Sequence, residues 1–132
     1  MIQKKAPVSE KTVHKQIVLF IKWHYPKVIF HTDFAAGNKM TIGQAVQNKE
    51  LQSGKGFPDL FIAHPKNGYS GLFLEVKSCL SKVYKKDGSY IKNEHVQAQA
   101  EMLDNLNAAG YKAEFGCGFD HCKSIITEYF KN

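Results

Sequence analysis

The 132-residue chain has little cysteine: Cys79, Cys117 and Cys122 are all it carries. An odd number of thiols gives no disulfide framework and fits a reducing cytoplasm, the expected compartment. Long apolar runs are also missing. Nothing approaches the roughly 18 apolar residues of a membrane span, so no membrane is expected as a partner. The start, MIQKKAPVSEK, lacks the apolar core of a signal peptide. Cys117, His121 and Cys122 could be imagined as zinc ligands, but they lack a fourth ligand and a standard spacing, and read as structural residues. What is present is ordinary for a soluble globular protein, with 43% hydrophobic and 23% charged residues. The length suits a single domain over residues 1–132, with residues 1–8 as a flexible arm. A net charge of +6 and a pI near 9.2 favour a polyanionic partner.

The most informative stretch is KGFPDLFIAHPKNGYSGLFLEVK, from Lys55 to Lys77. Two apolar runs, Asp59 to Ala63 and Leu72 to Val76, flank a turn-rich piece holding Pro65, Asn67, Gly68 and Gly71. The pattern predicts two adjacent strands in a hairpin. Asp59 opens the first strand directly after Pro58. Glu75 and Lys77 close the second, and strand alternation puts them on one face while Val76 points away. Charges ending an apolar strand are costly unless paired, solvated or bound.

Chemistry supplies a reason for them. Two carboxylates can hold a hard divalent cation such as Mg²⁺, which takes one or two protein carboxylates and keeps several waters. A lysine beside them can hold an attacking water or take its proton. The ion polarises a phosphoryl oxygen and acidifies its water. Asp followed by Glu-x-Lys on the next strand is thus a compact set for phosphodiester hydrolysis. The bland alternative is a surface hairpin with an ordinary Glu–Lys pair.

Pro58-Asp59 followed by Glu75-Val76-Lys77 resembles the PD-(D/E)XK nuclease superfamily. With Gly56-Phe57 ahead of Pro58-Asp59-Leu60, in so short a chain, the pattern looks most like the virus-type replication-repair nuclease (VRR-Nuc) family, over nearly all of the chain. That resemblance implies a restriction-endonuclease-like core, Mg²⁺ or Mn²⁺ held by Asp59, Glu75 and the Val76 carbonyl, and a DNA substrate. The substrate it suggests includes branched DNA such as Holliday junctions, met in DNA repair and cut by a homodimer. Two other readings stand beside it: a catalytically silent nucleic-acid-binding module, and an RNA-cleaving relative that works without metal through histidine.

Around this centre the rest of the chain falls into order. Ser9 is set to cap a helix carrying Val13, Ile17, Phe20, Ile21 and His24 at helical spacing, ended near Pro26. Glu10 lies in its first turn; the resemblance implies that it reaches the metal site, whereas the helix dipole alone would also explain it. His14 follows one turn later. Val28 to Phe30 read as a first strand, extended towards Asp33, and Phe34 to Gly37 as a break. Asp33 is either another acidic site residue or a turn residue. A glycine-dotted insertion bearing Lys39, Lys49 and Lys55 has room for a short helix around Ile42 to Leu51 and suits a binding loop.

After Lys77, the lysines Lys82, Lys85, Lys86 and Lys92 interleave with Tyr84 and Tyr90 around Asp87-Gly88. Lysines track phosphates and tyrosines stack on bases; a solvated hairpin is the competitor. Lys55, Lys82, Lys85 and Lys86 are the expected nucleic-acid contacts. Glu94 to Ala109 is a helix ended by Gly110, with Val96, Leu103 and Leu106 on its buried stripe. Gln99 falls within that stripe and needs a partner. The resemblance makes it a site residue positioning the lysine or the phosphate, the alternative being a satisfied core glutamine. Tyr111 to Gly116 form a strand and Phe119 to Phe130 a last helix. The expected architecture is α/β, in the order α-β-β-β-α-β-α, with a mixed sheet flanked by helices.

Overall fold

The computed structural model describes residues 8–33 and 41–132. The expected flexible arm therefore lies outside the described residues except for Val8, as do the Phe34 to Gly37 break and Lys39.

Helix α1 spans Glu10–His24. The Ser9 hydroxyl accepts the Thr12 N–H at 3.2 Å, satisfying one of the otherwise orphaned first-turn donors. Val13, His14, Ile17, Phe20 and Ile21 make its buried face. His24, expected in that stripe, stays exposed and covers Phe20 with its ring, centroids 4.6 Å apart. A polar ring keeps its hydration there while still shielding an apolar neighbour.

Strands β1 (Phe30–Thr32), β2 (Leu60–Ile62), β3 (Leu72–Lys77) and β4 (Lys112–Cys117) form one sheet in that order. β1 and β2, and β2 and β3, are antiparallel, while β3 and β4 run parallel. The mixed sheet expected from the sequence is thus present. Its hairpin closes between Lys66 and Tyr69 through Asn67 and Gly68, at φ of 52° and 86°. Two consecutive positive φ values are those of the tight hairpin turn that Asn-Gly favours.

Helix α2, Ile42–Glu50, occupies the insertion where a short helix had room. Thr41 and Gln44 cap its start reciprocally, each side chain accepting the other's N–H at 3.1 Å. Helix α3 (Glu94–Ala108) links β3 to β4, and α4 (Phe119–Phe130) closes the chain. With α2 included, the observed order is α-β-α-β-β-α-β-α.

Alternation along the strands sorts the core into two layers. Leu72, Leu74 and Val76 join Leu60, Ile62, α1 and α4 on one face. Phe73 joins Phe115, Ala113, Val96 and Leu103 under α3 on the other. β3 is buried along its whole length, its charged Glu75 and Lys77 included. Among the described residues no helix is long and apolar enough to cross a membrane.

Candidate active site

Glu75 and Lys77 share the α3 face of β3 with Phe73. The β2–β3 register pairs Leu60 with Leu74 and Phe61 with Phe73. One step further along the same register, Asp59 stands opposite Glu75, on the same face. The Val76 N–H points across this seam to Asp59 Oδ2, at 3.0 Å. Leu74 and Val76 therefore present their backbone polar groups to β2, and Asp59 and Glu75 occupy the intervening position without mutual backbone bonds. Side chains approach most closely at such positions. The expected meeting of the two carboxylates is thus a consequence of register.

Pro58 completes the arrangement. The paired register ends at Leu60 with Leu74, and proline has no N–H with which to extend it towards Val76. The Val76 carbonyl lies on the same edge of β3 as its N–H, which meets Asp59 Oδ2. The N–H of Asp33 meanwhile donates to the Asp59 carbonyl at 2.7 Å, tying the end of β1 to the start of β2. This sets Asp33 next in the row of acidic residues, with its side chain exposed.

Glu75 is only 3% exposed. Gln99 Nε2 donates to its Oε1 at 2.8 Å, but its Oε2 is buried without a hydrogen-bond partner. Burial pushes the Glu75 carboxyl up to about 10, helped by the neighbouring Asp59 carboxylate, against the lowering effect of Lys77. Two carboxylates this close hold a proton between them unless another positive charge takes its place. The residues therefore fit a hard divalent cation: two acidic oxygens, one of them orphaned, and a backbone carbonyl on one seam.

Lys77 is 8% exposed and lies next to Cys117 in the β3–β4 register. Its carbonyl accepts the Gly118 N–H at 2.8 Å, which pins the strand end to the start of α4. Gln99 comes from the buried stripe of α3. Its helix is held close by the loop before Asp59: a Cβ on Gly56 would lie 2.8 Å from the Gln99 nitrogen. Only glycine permits that approach, and its φ of +80° favours glycine as well. One loop thus sets both Asp59 and the helix that carries Gln99.

Glu10 is exposed on the first turn of α1, and its charge is the smallest of the influences acting on Glu75. Lys55, Lys82, Lys85 and Lys86 are all exposed, the last three following β3 directly. Tyr84 and Tyr90 pair across an isolated bridge and stack on each other, centroids 5.4 Å apart, over Phe115. One ring face of Tyr84 is thereby taken, leaving Tyr90 as the more exposed of the two.

Cys117 and Cys122 belong to core layers on opposite faces of the sheet. Burial pushes their thiols up to about 11 and about 12. Side chains packed into separate core layers do not converge on one ion. His121 is engaged instead as an acceptor, its Nδ1 taking the Cys117 N–H at 3.0 Å.

Two histidines belong to this site that the motif did not single out. His14 is buried on α1 with Nε2 3.8 Å from Asp59 Oδ2. Its place in the apolar stripe one turn after Glu10 was the available signal. His95 Nε2 lies 3.2 Å from Gln99 Nε2, a contact legible only as an i, i+4 spacing.

A mixed sheet carrying Asp and Glu-x-Lys on neighbouring strands, with helices on both faces, defines a small α/β protein of the restriction-endonuclease-like fold. No protein-family model matches the chain, and no curated protein does. Among solved structures, one titled "VRR_NUC domain protein" shares the fold, with a TM-score of 0.66 at 22% identity, over 96% of this chain and 91% of that one. The resemblance drawn from Gly56 to Lys77 holds at the level of the fold.

Proposed function

We propose that this protein is a divalent-metal-dependent DNA endonuclease. The observation that carries the reading is the seam at Asp59 and Glu75, where a buried carboxylate oxygen without a partner faces a second carboxylate and a strand carbonyl. Asp59, Glu75 and the Val76 carbonyl would hold Mg²⁺ or Mn²⁺. The chemistry such an ion supplies is positive charge on a phosphoryl oxygen and a more acidic bound water.

The chain's own residues do the rest. Lys77, on the same face as Glu75, orients or deprotonates the attacking water and balances charge on the phosphate. Gln99 keeps Glu75 in place through the 2.8 Å bond. Buried surroundings strengthen each of these interactions relative to water. Glu10 adds negative charge at the rim, drawing in cations.

All 18 basic residues are lysines. Point charges of this kind follow a phosphate backbone without the forked geometry arginine uses to read guanine edges. Lys55, Lys82, Lys85 and Lys86 serve this purpose, with Tyr90 available to stack on an unpaired base. Recognition of shape over sequence suits branched DNA, four-way junctions included. One site cuts one strand, so resolving a junction takes a two-fold pair of chains.

The test is a cleavage panel of linear, flap, splayed and four-way DNA, with a matched RNA, in Mg²⁺, Mn²⁺ or EDTA. Cutting of DNA that EDTA abolishes is expected. Cleavage of RNA that persists in EDTA would place the chemistry on His14 and His95 instead. Tight binding without cutting under any condition would make this a silent binding module.

A further inference from the structure

We infer that His95 is a positioning residue that holds the Gln99 amide in its working orientation by accepting one of its two protons; the functional weight of this rests on the nuclease reading. Gln99 Nε2 carries two hydrogens. One goes to Glu75 Oε1 at 2.8 Å, and among the described residues the other contact of this nitrogen is His95 Nε2 at 3.2 Å. An amide nitrogen only donates, so in this arrangement His95 Nε2 is the acceptor, the role open to the tautomer that carries its proton on Nδ1.

The consequence lies at the other end of the amide. With both hydrogens spent, Gln99 Oε1 is directed away from Glu75, where it is buried without a partner. Gln99 is 4% exposed, and a buried oxygen left unsatisfied is costly. Rotating the amide by half a turn would exchange the two ends. Oε1 would then meet Glu75 Oε1 and lose the attraction that holds the carboxylate. With its proton held on Nδ1, His95 opposes that rotation, because Nε2 then has only a lone pair and the rotated amide would offer it an oxygen. Glu75 Oε2 and Gln99 Oε1 are thereby both kept without a protein partner, the first open to a cation that displaces the carboxyl proton and the second to a donor.

His95 is exposed at the first turn of α3, after the Asn93 cap. An exposed histidine beside a phosphodiester site invites another explanation, direct contact with the phosphate as a cation. The two roles demand opposite chemistry. Holding the amide requires an acceptor, while gripping a phosphate requires a donor or a positive charge.

Three substitutions separate them: His95→Gln places an amide oxygen near the position of Nε2, His95→Ala removes the group, and His95→Lys supplies only donors. Outer residues that orient a site of this kind are typically worth about 10–100-fold in activity. His95→Ala and His95→Lys are expected to lower the single-turnover cleavage rate by that factor with KM for DNA little changed. His95→Gln should recover most of it. Recovery by lysine and not by glutamine would overturn the proposal in favour of phosphate contact.

The second readout needs no DNA and no activity. The Gln99 side-chain amide protons, assigned in the ¹H–¹⁵N spectrum by their loss in Gln99→Met, should both be protected from solvent exchange in the wild type. One of them should lose protection in His95→Ala and regain it in His95→Gln. Unchanged exchange in His95→Ala overturns the proposal even if the protein cuts DNA. Lost protection in a protein that cuts nothing retains the geometry and fails the nuclease reading alone.

Discussion

Replacing Glu75 by Gln tests the site through stability. In an unfolded chain this carboxyl releases its proton near 4.5; in the fold burial and Asp59 hold the proton until about 10. Between those values the folded protein binds one more proton than the unfolded chain. Stability from this group is therefore fully present below the lower value and is lost as pH rises. One proton corresponds to about 1.4 kcal/mol per pH unit at most. For a chain of this length 1 kcal/mol moves Tm by roughly 3–6 °C. Wild type should thus lose up to about 4–8 °C per pH unit relative to Glu75→Gln, which keeps the shape and carries no charge. The assay is a series of thermal melts in EDTA from pH 5.5 to 8.5, read as the difference between the two proteins so that other titrating groups cancel. Adding Mg²⁺ should flatten the wild-type slope, because an ion replaces the proton; at a hundredfold excess over Kd, binding contributes about 2.7 kcal/mol. Parallel curves for the two proteins in EDTA would refute the reasoning, since Glu75 would then titrate as an ordinary surface carboxylate.

Other substitutions probe the surroundings. Lys82, Lys85 and Lys86 changed together to Ala should weaken DNA binding and flatten the log–log salt dependence by up to about 0.9 per lost duplex phosphate contact, read by anisotropy across a salt series; their melts should hardly move, because the side chains are exposed. Gly56→Ala should cost about 1–3 kcal/mol in denaturant unfolding, because the new methyl meets helix backbone 2.8–2.9 Å away at a φ of +80°. Asp59→Asn should raise the Mg²⁺ concentration needed for half-maximal cleavage, with activity partly recovered at high metal.

How far the sequence revealed all this depended on whether local patterning carried the information. Helix α4 was legible from Phe119 to Phe130 because Ile125, Ile126 and Tyr129 repeat on one face. The Asp59 and Glu75 pairing was legible because hairpin register follows from its turn and strand alternation fixes the face. The strands themselves came out shorter than their apolar runs: Asp59 and Ala63 flank β2 without belonging to it, and β1 begins only at Phe30. Ladder ends depend on partners that periodicity does not reveal. His24 shows the limit of helical spacing, since position on a face does not say where the core ends. His14 was legible only as a neighbour of Glu10, and His95 not at all, for a different reason. Their contacts join α1 to β2 and bridge within α3 to a residue whose role comes from β3, and nothing in the local sequence sets those distances.

The central claim is that Asp59, Glu75 and Lys77 form one catalytic unit, with the acidic pair holding an ion and the lysine handling the water. The direct measurement is the single-turnover cleavage rate of Lys77→Ala against wild type on the best DNA of the panel, across Mg²⁺ concentration, with ion binding, DNA binding and thermal melts recorded on the same samples. The expected result is a loss of at least about 10²–10⁴-fold in rate that no concentration of Mg²⁺ restores, in a folded protein that still binds both ion and DNA. A Lys77→Ala protein that cuts at the wild-type rate would contradict it and remove Glu75-Val76-Lys77 as the catalytic strand.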